Sequence, residues 1–176
     1  MAGIEKDYFN ILEGLKEKIR IARQRAVLTV NRELLAVYWE IGHTILKQQA
    51  TEGWGAKVID RLAADLKTEF PDFKGLSARN LQYMKSFAEA WPDFSILQPA
   101  VAKLKTGENE QHTIVQPLVA QIPWAHHVVI LNKVKSKKDQ LFYIQKTAEN
   151  GWSKSVLGLQ IESQLHLRQG NAITNF

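Results

Sequence analysis

The chain has 176 residues, 45% hydrophobic and 23% charged, the length and composition of one globular domain or of one domain with an appended arm. No apolar run approaches the roughly 20 residues of a membrane span, and the start, with Glu5, Lys6 and Asp7 beside its first apolar residues, lacks a signal peptide's pattern. Cysteine is absent, which excludes disulfides, thiolate catalysis and cysteine-ligated zinc and points to a reducing cytoplasm.

From the N-terminus, Ile4, Tyr8, Ile11, Leu15, Ile19, Ala22, Ala26, Val30, Leu34, Tyr38, Ile41 and Ile45 step by three or four, with neither proline nor glycine between Gly14 and Gly42. The pattern predicts one very long helix or two consecutive ones. Its second half carries the wider stripe (Leu34, Leu35, Tyr38, Trp39, Ile41, Gly42, Ile45, Leu46), expected in the core of a domain spanning 27–176. Residues 1–26 form a narrower arm, with 4–26 suited to packing on another copy of the chain. Thr51 to Gly55 ends this element. From Gly55 to Phe70 the residues Val58, Ile59, Leu62, Leu66 and Phe70 form one stripe of a second helix. Pro71 and Gly75 break it, and Ser77 is placed to cap a third. Leu81, Met84, Phe87 and Trp91 would be that helix's buried side, with Asn80 beside them. At roughly 100° per residue, Arg79, Gln82 and Ser86 share the opposite side and Lys85 flanks them. Such a braced, capped helix reads as a helix-turn-helix reader of a major groove, or as any packed helical pair with a solvated face.

Residues 92–121, interrupted by Pro92, Pro99 and Pro117 and polar from Thr106 to His112, read as a connection with short helical pieces. Pro123 is expected as the first residue of a helix carrying Trp124, Val128, Leu131 and Val134 inward. Ser136 and Asp139 form a capping-box-like pair before a helix through Leu141, Ile144, Gln145 and Ala148. Asn150 and Gly151 end that helix. Ser153 then caps a last one with Leu157, Ile161, Leu165 and Arg168 inward, and Ser155, Leu159, Glu162, Ser163 and His166 outward. This final pair has the tighter turn, but its outward side offers glutamate instead of lysine or arginine, so the Ser77 helix is the better candidate reader. No strand of convincing alternation appears, and the expected class is all-α.

Charge is uneven. Residues 1–100 carry 14 Lys and Arg against 13 Asp and Glu, whereas residues 101–176 carry 9 against 5, with Lys133, Lys135, Lys137 and Lys138 together. Such a cluster suits a polyanion, or a solvated helix end. Catalytic constellations are weak. His126 and His127 are adjacent and diverge on a helix, so one is expected against Trp124 and the other exposed, with no metal between them. Glu33 and Glu40, and Asp60, Asp65 and Glu69, form no acid and base pair, and no glycine loop cradles phosphate. Trp39, Trp54, Trp91, Trp124 and Trp152 read as core or staple residues.

The runs Asn31-Arg-Glu-Leu-Leu, Tyr38-Trp39-Glu40-Ile41-Gly42, Trp54-Gly55 and Gly75-Leu76-Ser77-Ala78-Arg79-Asn80-Leu81 carry a resemblance. So do Ile122-Pro123-Trp124-Ala125-His126, Tyr143-Ile144 and Asn150-Gly151-Trp152-Ser153. Together, over about residues 15–176, the chain resembles the N-terminal domain of the YhcG-like PD-(D/E)XK nuclease family. The resemblance implies a bacterial protein about twice as long, with a helical N-terminal region that binds DNA and a metal-dependent nuclease domain after it. No stretch up to Phe176 matches the nuclease carboxylates and lysine, so no catalytic residue and no cofactor are assigned. The expectation is a helical module on double-stranded DNA, with no membrane or small-molecule substrate. Arg79 and Gln82 would meet bases or phosphate, Lys85 and Ser86 would steady the backbone, and the four lysines would add sequence-independent attraction. The rival is a protein-interaction and dimerisation module without nucleic acid, working through the arm.

Overall fold

The computed structural model describes residues 2–93, 100–106, 109–115 and 117–171. The first element is a single unbroken helix, α1 (Ala2–Glu52), 51 residues long. It resolves the choice between one helix and two, as the absence of proline before Pro71 allows. Helices α2 (Ala56–Glu69) and α3 (Ala78–Ala90) follow. After a hairpin of β1 (Ala100–Thr106) and β2 (Asn109–Val115) come a 3-10 turn at Leu118–Gln121 and four more helices. These are α4 (Trp124–Lys133), α5 (Lys137–Asn150), α6 (Lys154–Glu162) and α7 (Leu165–Asn171). The class is all-α with this one hairpin inserted.

The hairpin corrects the expectation of a connection with short helical pieces and no strand; only the 3-10 turn fits that expectation. The strands run antiparallel, Ala100 paired with Val115 and Thr106 with Asn109.

Helices α1 and α3 form the spine, their contact being the most extensive between helices. On one side Tyr38, Ile45, Leu81 and Met84 pack with Ile59 and Ala63 of α2. On the other, Leu35, Trp39, Phe87 and Trp91 meet Val119, Ile122, Ile130, Val134, Tyr143, Ile144, Leu157 and Ile161. Directed hydrogen bonds fix the layers. The Trp39 indole donates to the Trp91 carbonyl (2.6 Å), and the Asn31 amide donates to the carbonyls of Ala120 (2.8 Å) and Ile122 (2.9 Å). Gly42 lets the two spine helices touch backbone to backbone: a Cβ there would stand 2.0 Å from the Met84 carbonyl oxygen. In front of this core, residues 5–27 of α1 are exposed except for Leu12, which is half-buried.

Three serine caps form where the sequence puts them: the hydroxyls of Ser77, Ser136 and Ser153 accept the amides of Asn80, Asp139 and Val156. Gly151 ends α5 in the left-handed conformation (φ 61°). Several stripes are narrower or rotated than expected. On α2 Ile59 and Ala63 are buried and Leu62 and Leu66 pack half-buried beside them, while Val58 and Phe70, at the edges of the stripe, are exposed. Pro123 is the cap of α4, one residue before its first turn. That helix buries His126, His127 and Ile130, with Val128 and Leu131 half-buried. Helix α5 buries Gln140, Tyr143, Ile144 and Thr147, leaving Leu141 and Gln145 exposed. The last expected helix is two, broken at Gln164, whose φ is 54°. Arg168 is therefore exposed and His166 half-buried, each on the opposite side from that expected.

Candidate nucleic-acid interface

The turn before α3 is built around Gly75, whose φ of 99° is open to glycine at little cost. The Asn80 amide donates to the Gly75 carbonyl (2.5 Å), and the Asn80 side-chain oxygen accepts the Trp124 indole N–H (2.9 Å). Tyr38 and Phe87 pack edge-on against the same indole at 4.7 and 5.4 Å. Turn, α3, α1 and α4 are thus locked together behind the first turn of α3, and Asn80 lies on the packed side as expected.

Arg79 points the other way and is exposed. Its guanidinium sits over the Tyr83 ring (5.9 Å to the centroid) and donates to the Tyr83 hydroxyl (3.4 Å), which also accepts the Asn132 amide (3.1 Å). These donors, Asn132 first and then Arg79, hold the Tyr83 hydroxyl below the usual tyrosine range. Lys74, Ser77, Arg79 and Tyr83 border a shallow hollow at the mouth of this turn. Gln82 is exposed, whereas Lys85 and Ser86 are half-buried. The Ser86 hydroxyl donates back to the Gln82 carbonyl (3.1 Å), and the Lys85 backbone lies against α1 at Gly42.

All four clustered lysines are exposed at the corner between α4 and α5. Lys133 pairs with Glu162 of α6, and Lys137 lies over the Trp91 ring at 5.1 Å. No ion pair holds Lys135 or Lys138 among the described residues. Asn132 precedes Lys133 and bonds Tyr83, and Lys137 covers Trp91 at the end of α3. The corner therefore lies alongside α3, and two basic groups some fifty residues apart in sequence become neighbours. Lys74, Tyr83 and Asn132 were not singled out from sequence; nothing local in their runs marks them, because the contacts that join them are long-range.

Both histidines of α4 are buried, against the expectation that one would be exposed. The ring Nε2 of His126 meets the Trp152 carbonyl (2.8 Å) and that of His127 the Val119 carbonyl (2.7 Å), so each N–H donates. Diverging positions on a helix find two different walls when the helix is enclosed on both flanks. Burial pulls His127 down to about 4. A second polar group, Asp139, His166 and Tyr143, ties α7 across α5: the Tyr143 hydroxyl meets His166 Nδ1 at 2.7 Å, and Asp139 lies 3.8 Å from Nε2. Among the described residues no three His, Asp or Glu side chains converge as a metal-binding group. Nor is any described helix long and apolar enough to cross a membrane.

The family model of the DUF1016 N-terminal domain matches residues 14–168. The chain belongs to this family. It is 30% identical over 181 residues to a protein of Escherichia coli (strain K12) named "Putative nuclease YhcG", an alignment that covers 94% of the chain and 48% of that relative. The chain thus spans about half the length of the curated relative it matches. No solved structure matches it.

Proposed function

We propose that this chain is a DNA-binding module, the N-terminal part of a larger bacterial nuclease of the cytoplasm, and that it does not itself cleave. The observation that carries the reading is the junction at Tyr83 and Asn132, which sets exposed Arg79 beside the lysine-bearing corner. The name of the E. coli relative supports a nucleic-acid partner, and the divalent metal of such a nuclease would belong to a domain outside these residues. Arg79 and Gln82, on the exposed side of a capped helix braced by α1 and α2, meet base edges or phosphate in a helix-turn-helix-like approach. Eight residues, Phe70 to Ser77, separate α2 from α3. The approach is accordingly wider than the usual three- or four-residue turn. Lys85 and Ser86 steady the backbone contact, and Lys133, Lys135, Lys137 and Lys138 supply charge that is indifferent to sequence.

Duplex binding measured by anisotropy across a salt series tests this. The logarithm of affinity should fall linearly with that of salt, with a slope of about −0.9 per phosphate neutralised. Arg79→Ala should weaken binding: by about 1–3 kcal/mol at particular bases if it reads sequence, or with a slope flatter by about one if it holds phosphate. Equal binding by parent and variant at every salt concentration would remove α3 as the reader. A second reading, an interaction module without nucleic acid, is favoured by one observation, the exposed apolar stripe on the arm of α1.

A further inference from the structure

We infer that the arm of α1 pairs with the same arm of a second copy of this chain, antiparallel, about a two-fold axis at Leu15. The inference is independent of DNA binding. Tyr8 (60%), Ile11 (63%), Leu15 (51%) and Ile19 (59%) are all more than half exposed along one side of the helix. At roughly 100° per residue this stripe lies roughly 170° round α1 from the core-facing residues Leu35, Tyr38, Trp39, Gly42 and Ile45. A partner on the stripe therefore sits behind the helix, clear of α3 and the rest of the domain.

The spacing itself selects a second copy and its direction. The stripe positions 4, 8, 11, 15, 19, 22 and 26 repeat every eleven residues and read the same in both directions about 15. An eleven-residue repeat is close to the natural period of an α-helix, so the stripe stays on one face of a nearly straight rod over roughly 33 Å. Two such rods laid antiparallel bring Leu15 level with the partner's Leu15, Ile11 with the partner's Ile19, and Tyr8 with the partner's Ala22. The largest side chain thus meets one of the smallest. A parallel pair would stack Tyr8 on its own copy and leave Ala22 facing alanine.

Charge points the same way. Residues 5–13 hold Glu5, Asp7 and Glu13 against Lys6, whereas residues 16–25 hold Lys16, Lys18, Arg20, Arg23 and Arg25 against Glu17. Antiparallel pairing sets the acidic half on the basic half; parallel pairing sets like on like. Glu5 and Arg23 are five helical turns apart and share one flank of the stripe. Across the two-fold axis, Glu5 then falls about two residues, roughly 3 Å along the axis, from the partner's Arg23. The central carboxylates are already paired within the helix, Glu13 to Lys16 (2.7 Å) and Glu17 to Arg20 (3.2 Å).

Since the chain has no cysteine, single introduced thiols report the geometry without background. Light scattering on the intact chain should give twice 20.0 kDa, and Leu15→Glu should halve that mass. All five tryptophans lie outside the arm, so the unfolding midpoint followed by their fluorescence should stay where it was. Under mild oxidation Leu15→Cys should give a covalent dimer. Ile19→Cys alone should not, because its two copies would stand roughly 12 Å apart along the axis, beyond disulfide reach. Mixing Ile19→Cys with Ile11→Cys should restore the cross-link. A monomeric parent at high concentration overturns the pairing, and self-cross-linking of Ile19→Cys as fast as Leu15→Cys overturns the antiparallel direction.

Discussion

Asn80 bridges two elements, donating to the Gly75 carbonyl and accepting from the Trp124 indole, while its neighbour Arg79 reaches solvent one position earlier. Helix geometry separates the pair: at roughly 100° per residue, one step from the exposed Arg79 turns Asn80 onto the packed side of α3. Asn80→Ala strips partners from a partly buried carbonyl and a partly buried N–H, at about 1–3 kcal/mol each when nothing replaces them. Partial access of water lowers that figure, and a net loss of about 2 kcal/mol is expected. It should appear as a melting temperature lower by about 5 °C. Duplex binding measured well below the transition should be unchanged. Loss of binding with an unchanged melting temperature would mean that Asn80 faces the ligand.

Along α1 the same residue type does opposite things at two sites, one in the exposed arm and one where the helix crosses α3. Glycine inside a helix costs about 1 kcal/mol against alanine through backbone entropy. At Gly14 nothing lies within 4 Å of an added Cβ, so Gly14→Ala should stabilise by about 0.5–1 kcal/mol. At Gly42 the added atom would meet the Met84 carbonyl, main-chain atoms that cannot rotate away. Overpacking of this kind costs about 1–3 kcal/mol or more and outweighs the propensity gain. Gly42→Ala should therefore lower stability by about 2 kcal/mol or more in urea unfolding, and a gain instead would show that the helices can separate freely. The long helix, the three serine caps and the left-handed Gly151 were legible in sequence because period, capping and turn chemistry act over a few residues. The hairpin was not legible, since Pro92, Pro99 and Pro117 and the polar run from Thr106 to His112 read as a connection, nor was the break at Gln164, where a non-glycine residue holds φ at 54°.

At the scale of the whole molecule, the runs that carry the family resemblance are mostly architecture. Asn31 pins the 3-10 turn, Trp39 holds the end of α3, Gly42 admits it, and Asn80 and Trp124 close the turn. They made the fold recognisable while saying little about a ligand, and the candidate interface depends on Tyr83 and Asn132, whose contact spans 49 residues. His127 belongs to the same architecture and gives it a pH dependence. Its ring is 1% exposed, donates to Val119 and packs edge-on to Phe87 at 5.1 Å. Burial first, with the neighbouring His126 adding to it, holds its pKa at about 4 against 6.5 for the free side chain. The folded state thus binds this proton less readily than the unfolded chain does. Stability is full above about pH 6.5 and falls as the pH drops through the window from 6.5 to 4. Between pH 7 and pH 5 the loss from this one group should be about 2 kcal/mol. That is about 4–8 °C in melting temperature for a chain of this size. His127→Gln, which can still offer an amide to Val119, should start less stable at pH 7 because it gives up the ring's packing, and should lose less on going to pH 5. Tryptophan-monitored unfolding of both proteins at the two pH values isolates the histidine, since every other titrating group is common to them. Parallel losses in parent and variant would show that His127 takes up its proton without unfolding the core.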